Sequence, residues 1–214
     1  MKNETIPIAR EGYPFIAYSA FLTLTSAALG YCLISLLLVV VTTFILMFFR
    51  DPERMVPQID RGVISPADGR IIFIDTLRDE RFSTDEVLKI SIFMNVFNVH
   101  VNRIPFAGTI QHVSHVPGAF LAADSEKAHL HNEYCAARIV TENGREITVV
   151  QIAGLIARRI ICRLEAGDKV VKGERFGMIR FGSRVDLYLP KQSNAAVKIG
   201  DKVRAGESLL AYLG

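Results

Sequence analysis

Cysteine is scarce in this chain of 214 residues, and the few that occur form no framework. Cys32, Cys135 and Cys162 lie far apart, are odd in number and include no Cys-x-x-Cys pair. We therefore expect neither disulfides nor a zinc cluster, and a reducing compartment fits this usage. His129 and His131 could form a metal pair, but no cysteine or carboxylate stands at ligand spacing, so we expect no metal.

A strong excess of charge of either sign is also absent. The net charge is +3, with 25 Lys and Arg residues against 22 Asp and Glu residues. This balance is too mild to indicate a nucleic-acid partner, and it suits a protein that rests near an anionic surface. Hydrophobic residues make up 50% and charged residues 22% of the chain, which excludes disordered and fibrous proteins.

Residues 15–49 contain no charged side chain at all, after a polar N-terminus at 1–14. A membrane span needs about 20 apolar residues, and this longer run divides naturally near Gly30 into 13–29 and 31–49. We predict a hydrophobic helical hairpin that either crosses the membrane or dips into one leaflet. A secretory signal peptide is disfavoured because no small-residue cleavage pattern follows the run. A buried pair of soluble helices is the alternative.

Basic residues flank the apolar run on both sides: Lys2 and Arg10 before it, and Arg50, Arg54 and Arg61 after it. Both ends of the hairpin, and the domain that follows, are therefore predicted on the cytoplasmic side of the cell membrane. Pro52 and Pro57 disfavour a helix. Residues 50–61 are thus predicted to form a linker, and 62–214 the main folded domain.

From residue 62 onward the pattern is mostly that of β-strands. Runs at 70–75, 88–94 and 109–116 have strand character. Asn143-Gly144 lies between two further strand-like runs and is a strong signal for a two-residue hairpin. Residues 154–164 place apolar side chains on one helical face and arginines on the other, which predicts a short helix.

Two segments of the domain, 166–174 and 199–207, resemble each other in a Gly-Asp-Lys-Val stretch followed by Gly-Glu. Each predicts short strands separated by turns, with glycines where φ is positive. Small barrels of the lipoyl or biotinyl type use this pattern. The predicted fold is therefore mainly β with a few helices: a compact β-barrel or sandwich with two lipoyl-like halves, preceded by the helical hairpin.

Gly182-Ser183 lies within the stretch that connects these two segments, and strand-like residues stand on either side of it. Its ordinary interpretation is a tight turn or bulge, and the other interpretation is a peptide bond built to break. Three further polar stretches could carry chemistry with it. They are the Ser-Pro-Ala-Asp-Gly turn at 65–69, the His and Arg within 93–105, and the two histidines within 128–133.

Together these motifs resemble the phosphatidylserine decarboxylase family, in a short form with an N-terminal apolar segment. The matching stretches are the charge-free run ending in Phe49-Arg50-Asp51-Pro52, the turn at 65–69, Asn98-Val99-His100 with Pro105, Asn132-Glu133, and Phe181-Gly182-Ser183. They follow the family's order and span nearly the full length. One of these motifs alone would be weak evidence. Five of them in the family's order favour the interpretation of Gly182-Ser183 as a peptide bond that breaks.

The resemblance implies a proenzyme that cuts itself between Gly182 and Ser183 into a β chain, 1–182, and an α chain, 183–214. The Ser183 hydroxyl attacks the Gly182 carbonyl, and elimination then converts Ser183 into a covalent pyruvoyl group, the expected cofactor. That group forms a Schiff base with the amine of phosphatidylserine. Loss of CO2 then leads to phosphatidylethanolamine.

The resemblance also implies roles for individual residues of this chain. In longer family members an Asp of the Ser-Pro-x-Asp-Gly turn and a His act with the Ser in self-cleavage, and Asp68 matches that Asp as the orienting group. Longer members often have two histidines three residues apart, whereas this chain has His100 at the first position and Arg103 at the second. His100 is expected to serve both steps as base and acid, with His131 as the alternative.

The expected partners are phosphatidylserine in the membrane and the two cleavage chains with each other. The family also suggests a homodimer, and the basic residues Arg50, Arg54 and Arg61 near the membrane are expected to attract the anionic headgroup. Three rival functions stay open. A decarboxylase of an archaetidylserine-like lipid would use the same site. A lipoyl-type binding module needs a lysine at a hairpin tip, unlike Lys169 and Lys202. A hydrolase needs a Gly-x-Ser-x-Gly elbow, and Phe181 replaces its first glycine.

Overall fold

The computed structural model describes residues 7–118, 132–154, 160–180 and 183–214, and the chain forms two compact units, Met1–Glu53 and Arg54–Gly214. In the first unit, a single 3-10 turn at Arg10–Gly12 leads into α1 (Tyr13–Ala28), and α2 (Cys32–Phe48) follows. Gly30 has a φ of 79° between them. Because glycine adopts this left-handed conformation without strain, it ends α1. The predicted division into two helices near Gly30 is confirmed.

Two hydroxyl pairs join α1 to α2. Thr23 Oγ1 lies 3.2 Å from Thr42 Oγ1, and Ser26 Oγ lies 3.0 Å from Ser35 Oγ. These hydrogen bonds explain why serine and threonine occur in the apolar run, since each of these hydroxyls finds a partner on the other helix. Most of the large apolar side chains of both helices are exposed, Leu33 by 85%. Within the described residues, no helix has the length and apolar character needed to cross a membrane.

The second unit is built from β-strands, which confirms the mainly β prediction. They are β1 (Gly62–Ile64), β2 (Gly69–Arg78), β3 (Glu86–Met94), β4 (Val101–Arg103), β5 (Gly108–Val116), β6 (Tyr134–Val140), β7 (Glu146–Ala153), β8 (Ile160–Cys162), β9 (Lys169–Val170), β10 (Arg175–Ile179), β11 (Ser183–Pro190), β12 (Asn194–Ala195), β13 (Lys202–Val203) and β14 (Leu209–Tyr212). A hairpin joins β6 to β7 as predicted at Asn143-Gly144, but its connection is longer than the predicted two residues. The strand pairing ends at Val140↔Glu146, and Gly144, not Asn143, has a positive φ, of 73°.

An eight-stranded antiparallel sheet with the order β13-β2-β3-β11-β7-β6-β5-β9 curls into half a barrel. Two smaller sheets have the orders β1-β14-β12 and β4-β10-β8. Alternate residues of β3 and β11 point to opposite faces. One face, with Ile90, Ile92 and Leu187, is fully buried in the main apolar core.

The helix predicted over 154–164 is wrong where the structure describes it. Ile160–Cys162 forms β8, which pairs with β10 through Ile160↔Ile179 and Ile161↔Met178. Residues 155–159, in the middle of the predicted helix, lie outside the described residues. A helical pattern in so short a segment is a weak signal, and pairing with β10 overrides it.

The two similar segments occupy equivalent places in the sheet. Val170 of β9 pairs with Gly108 at the start of β5, and Val203 of β13 pairs with Gly69 at the start of β2. The turn glycines before these short strands have nearly equal φ angles, 98° at position 167 and 97° at position 200. The internal repeat is therefore real in three dimensions, while its likeness to lipoyl domains stays a prediction.

Candidate active site

Ser183 is the first residue of β11, the strand in the middle of the eight-stranded sheet. Its backbone pairs with Met94 at the end of β3 and with Ala153 at the end of β7. The residue is fully buried, and its hydroxyl donates to Met94 Sδ at 3.3 Å. The preceding strand, β10, belongs to a different sheet. The chain therefore changes sheets between residues 179 and 183; Phe181 and Gly182, within that connection, lie outside the described residues.

A buried polar chain continues from Met94 away from Ser183. Asn102 Nδ2 lies 3.9 Å from Met94 Sδ and 3.4 Å from the Pro66 carbonyl oxygen. Asn102 Oδ1 accepts a hydrogen bond of 2.8 Å from Gln151 Nε2. Met94 and Gln151 were not predicted from the sequence as neighbours of the site. The available signal was the amide of Gln151 between the apolar residues Val150 and Ile152 of β7.

His100 lies fully buried immediately before β4. Its Nδ1 is 2.9 Å from the carbonyl oxygen of Asn98. Because a carbonyl only accepts, Nδ1 carries the proton in the neutral ring, and Nε2 is the basic nitrogen. The His100 carbonyl accepts from the Ile179 N–H at 3.4 Å. His100 thus lies beside Ile179, which is the last residue of β10 and precedes Ser183 by four residues.

Asn132 explains one of the motifs on which the resemblance rests. Its side-chain Nδ2 donates to the carbonyl oxygen of Ala153 at 2.7 Å, and the Ala153 N–H donates to the Glu133 carbonyl at 2.9 Å. Ala153 is the cross-strand partner of Ser183. The Asn-Glu pair therefore fixes the strand end against which Ser183 rests.

Asp68 is buried at the turn before β2, but its hydrogen bonds lead elsewhere than expected. Its carboxylate accepts from Arg54 Nη2 at 2.9 and 3.1 Å and from the Ala205 N–H at 2.7 Å. Within the described residues no hydrogen bond joins Asp68 to His100. The Arg54 side chain, only 9% exposed, also pairs with Glu207 at 3.2 Å. Arg54 therefore braces the turn. Attraction of the headgroup by Arg50, Arg54 and Arg61 stays a prediction.

Arg103 is also buried. Its Nη1 donates to the Gly173 carbonyl oxygen at 3.0 Å. A Cβ on Gly206 would lie 2.8 Å from Arg103 Cδ, so a glycine is needed there. The other secondary candidate, His131, lies outside the described residues.

A network of buried charges lies on the face of β3 and β11 opposite the main core. Asp186 pairs with Lys89 Nζ at 3.1 Å and with Arg184 Nε at 2.6 Å. Arg184 Nη2 also donates to Ser91 Oγ at 2.9 Å. Burial lowers the pKa of Lys89, and the Asp186 carboxylate partly offsets that effect. These charges begin one residue after Ser183, and the two ion pairs and the hydrogen bond named here link β11 to itself or to β3.

Within the described residues, no group of three or more His, Cys, Asp or Glu side chains is arranged to hold a metal ion. Asp68, His100 and Ser183 are buried polar residues, located immediately before β2, immediately before β4 and at the start of β11, respectively.

Comparisons with known proteins agree with this arrangement. The sequence profile described as phosphatidylserine decarboxylase matches residues 41–211. The chain is 52% identical over 213 residues to the phosphatidylserine decarboxylase proenzyme of Desulfotalea psychrophila, and 45% identical over 213 residues to that of Geotalea uraniireducens, with full coverage of both proteins in each case. It is 50% identical over 206 residues to that of Burkholderia mallei, covering 96% of this chain and 95% of that protein.

These matches define the class of protein as a decarboxylase, a carboxy-lyase made as a proenzyme. The chain belongs to the phosphatidylserine decarboxylase family. The resemblance inferred from the sequence motifs is thereby confirmed.

Proposed function

We propose that this chain converts phosphatidylserine into phosphatidylethanolamine and CO2, using a pyruvoyl group that it makes from its own Ser183. The observation that carries the proposal is the place of Ser183. A fully buried serine at the first position of the central strand, directly after Gly182, has no solvent-facing role. Its environment suits a group that reacts once with its own backbone.

The first step is cleavage of the Gly182–Ser183 peptide bond. Ser183 Oγ attacks the Gly182 carbonyl carbon, its proton passes to a base, and the C–N bond breaks to give an ester and a free amine. Loss of the Ser183 Cα proton then expels the Gly182 carboxylate from Cβ. The resulting dehydroalanine takes up one water and releases ammonia, which leaves the chain 183–214 with a pyruvoyl end. Gly182 has no Cβ, so the hydroxyl can approach its carbonyl closely.

The residues around Ser183 fit the group that replaces it. The pyruvoyl group keeps the carbon atoms of Ser183, has oxygen in place of the nitrogen, and lacks Oγ. It therefore fits the volume that Ser183 fills between Met94 and Ala153. When present, this ketone supplies an electrophile for the substrate amine and a sink for the electron pair left by CO2.

His100 is the proposed acid and base. Because Asn98 holds Nδ1 in its protonated form, Nε2 is the atom that takes a proton during cleavage and delivers one to the substrate carbon after CO2 leaves. Asp68 is proposed as an orienting residue of the turn. Its bonds to Arg54 and the Ala205 N–H support a role in holding the turn at 65–69 in place rather than in direct proton transfer.

We expect a His100→Gln variant to lose decarboxylation by about 10²–10⁴-fold and to cleave more slowly, because glutamine can donate to Asn98 but cannot transfer a proton. Release of CO2 from phosphatidylserine measures the first effect. The fraction of full-length chain over time measures the second. His112→Gln on the exposed surface of β5 is the matched control and should behave as wild type. Full activity of His100→Gln would move the acid–base role to His131.

The exposed apolar surface of α1 and α2 supports a membrane-associated hairpin in residues 15–49, since a patch of this size is unusual in contact with water. We propose that it anchors the enzyme at the cell membrane, with the linker 50–61 and the catalytic domain 62–214 on the cytoplasmic side. The chains 1–182 and 183–214 stay paired after cleavage, and the enzyme forms a homodimer. An archaetidylserine-like lipid presents the same headgroup and would serve as a second substrate.

A further inference from the structure

A polar cleft of about 570 Å³ opens where β2 begins and β3 ends, next to β13. Phe93 and Asn95, which flank Met94 in the sequence, both line it, and Met94 is the cross-strand partner of Ser183. Asp68 and Asn98, the latter bonded to His100, line it too. The cleft therefore lies beside the strand end that carries the candidate active site.

The charges around this cleft are unequal. Arg70, Lys202 and Arg204 contribute three cationic side chains against the single carboxylate of Asp68, and Asp68 already pairs with Arg54. Within the described residues, Arg70 and Lys202 make no ion pair. Arg204 has one loose pair with Glu207 at 3.7 Å and is 73% exposed. Among the described residues, the positive charge of the cleft is thus largely uncompensated.

Two of these cations lie close enough together to destabilise the pairing of β13 with β2, unless a bound anion offsets their repulsion. Lys202 on β13 and Arg70 on β2 are direct cross-strand partners, and like charges in that position destabilise a sheet. Asn95 and Asn98 at the cleft use their side-chain oxygens to accept backbone N–H groups at 2.9 Å. Within the part of the chain that the structure describes, their NH2 groups remain available as donors, and phosphate oxygens accept hydrogen bonds from such groups.

An exposed aromatic side chain indicates the source of the anion. Phe97, also lining the cleft, is 63% exposed. An aromatic ring beside cations is typical of protein surfaces at the membrane interface, where the ring enters the headgroup region and the cations meet lipid phosphates. A free phosphate ion would gain nothing from this ring.

We propose that this cleft binds the phosphodiester of an anionic phospholipid and so holds the catalytic unit against the membrane surface. The binding role goes beyond the decarboxylation reaction and does not rest on cleavage at Ser183. It therefore applies equally to the uncleaved chain.

The test uses full-length Ser183→Ala protein and sedimentation with vesicles of phosphatidylcholine alone or with added phosphatidylglycerol, an anionic lipid that has no amine to react. We expect Arg70→Gln/Lys202→Gln to weaken the phosphatidylglycerol-dependent binding about 25-fold, since each cation near an anionic surface contributes about a five-fold effect. Binding to phosphatidylcholine vesicles, which reports the apolar helices, should not change. The thermal midpoint should not fall, because both residues are exposed and repel each other.

Arg78→Gln/Lys191→Gln is the matched control, because it removes one arginine and one lysine from the opposite end of the sheet. It should reduce the binding far less. An equal loss in both double variants, or no loss in the first, would overturn the proposal. Inorganic phosphate, compared with sodium chloride at the same ionic strength, should not compete. Full competition would show a site for free phosphate and would contradict binding of the lipid.

Discussion

The Ser183→Ala variant is expected to remain a single chain of 214 residues with no measurable decarboxylation. Alanine lacks the hydroxyl that attacks the Gly182 carbonyl, so neither the ester nor the pyruvoyl group can form. The fold should persist, because the side chain is fully buried and its Oγ makes one weak bond, to Met94 Sδ. Gel electrophoresis follows the cleavage, and CO2 release from phosphatidylserine follows the reaction.

Ser193→Ala is the matched control for this experiment. Ser193 is another buried serine of the same 183–214 segment, so its loss changes packing to a similar extent without touching the cleavage point. It should cleave and decarboxylate as wild type does. A Ser183→Ala protein that still separated into 1–182 and 183–214 would show that another group is the nucleophile.

The largest expected effect on stability comes from Asp186→Asn. Asparagine has nearly the same shape but no charge, which leaves the buried Lys89 and Arg184 without their carboxylate. Removal of one partner from a buried ion pair costs about 3–5 kcal/mol. Urea unfolding of the full chain in detergent, with Ser183→Ala present to keep it uncleaved, measures the difference.

An exposed ion pair between the same two strand regions provides the control. Lys191 lies only 2.6 Å from Glu86, closer than Lys89 lies to Asp186, yet Glu86→Gln should leave the free energy of unfolding nearly unchanged because solvent screens the pair. Adding Lys89→Met to Asp186→Asn should restore part of the lost stability. Equal effects of Asp186→Asn and Glu86→Gln would contradict the account of the buried charges.

This network also bears on the cleaved enzyme. Lys89 and Ser91 belong to the proposed chain 1–182, whereas Arg184 and Asp186 belong to 183–214. The buried contacts therefore become contacts between two chains once the bond breaks. Together with the pairing of β11 between β3 and β7, they would keep the pyruvoyl end in place.

Local rules explain which parts of the fold could be predicted from the sequence. The helix break at Gly30 and the hairpin at Asn143-Gly144 follow from the backbone conformations that glycine permits, and both are present. The repeated glycine turns at 167 and 200 follow in the same way. The segment 160–162 was misjudged because its strand conformation depends on β10, a partner that periodicity alone does not reveal.

The candidate site was only partly predictable for a similar reason. Motif order singled out Ser183, His100 and Asp68 as candidate residues, but spacing does not say which atoms meet. The partners of Asp68 are Arg54 and Ala205, the latter 137 positions away in the sequence. Likewise, the pairing of Lys89 with Asp186 places a charge within an otherwise apolar strand, and no local pattern distinguishes that from an edge residue facing solvent.

The intact mass of the purified protein tests the central claim most directly. We predict two chains that meet after Gly182, with the shorter one lighter by one ammonia than a chain beginning with serine, as a pyruvoyl end requires. A single full-length chain that carries an unmodified Ser183 and still decarboxylates phosphatidylserine would contradict the account.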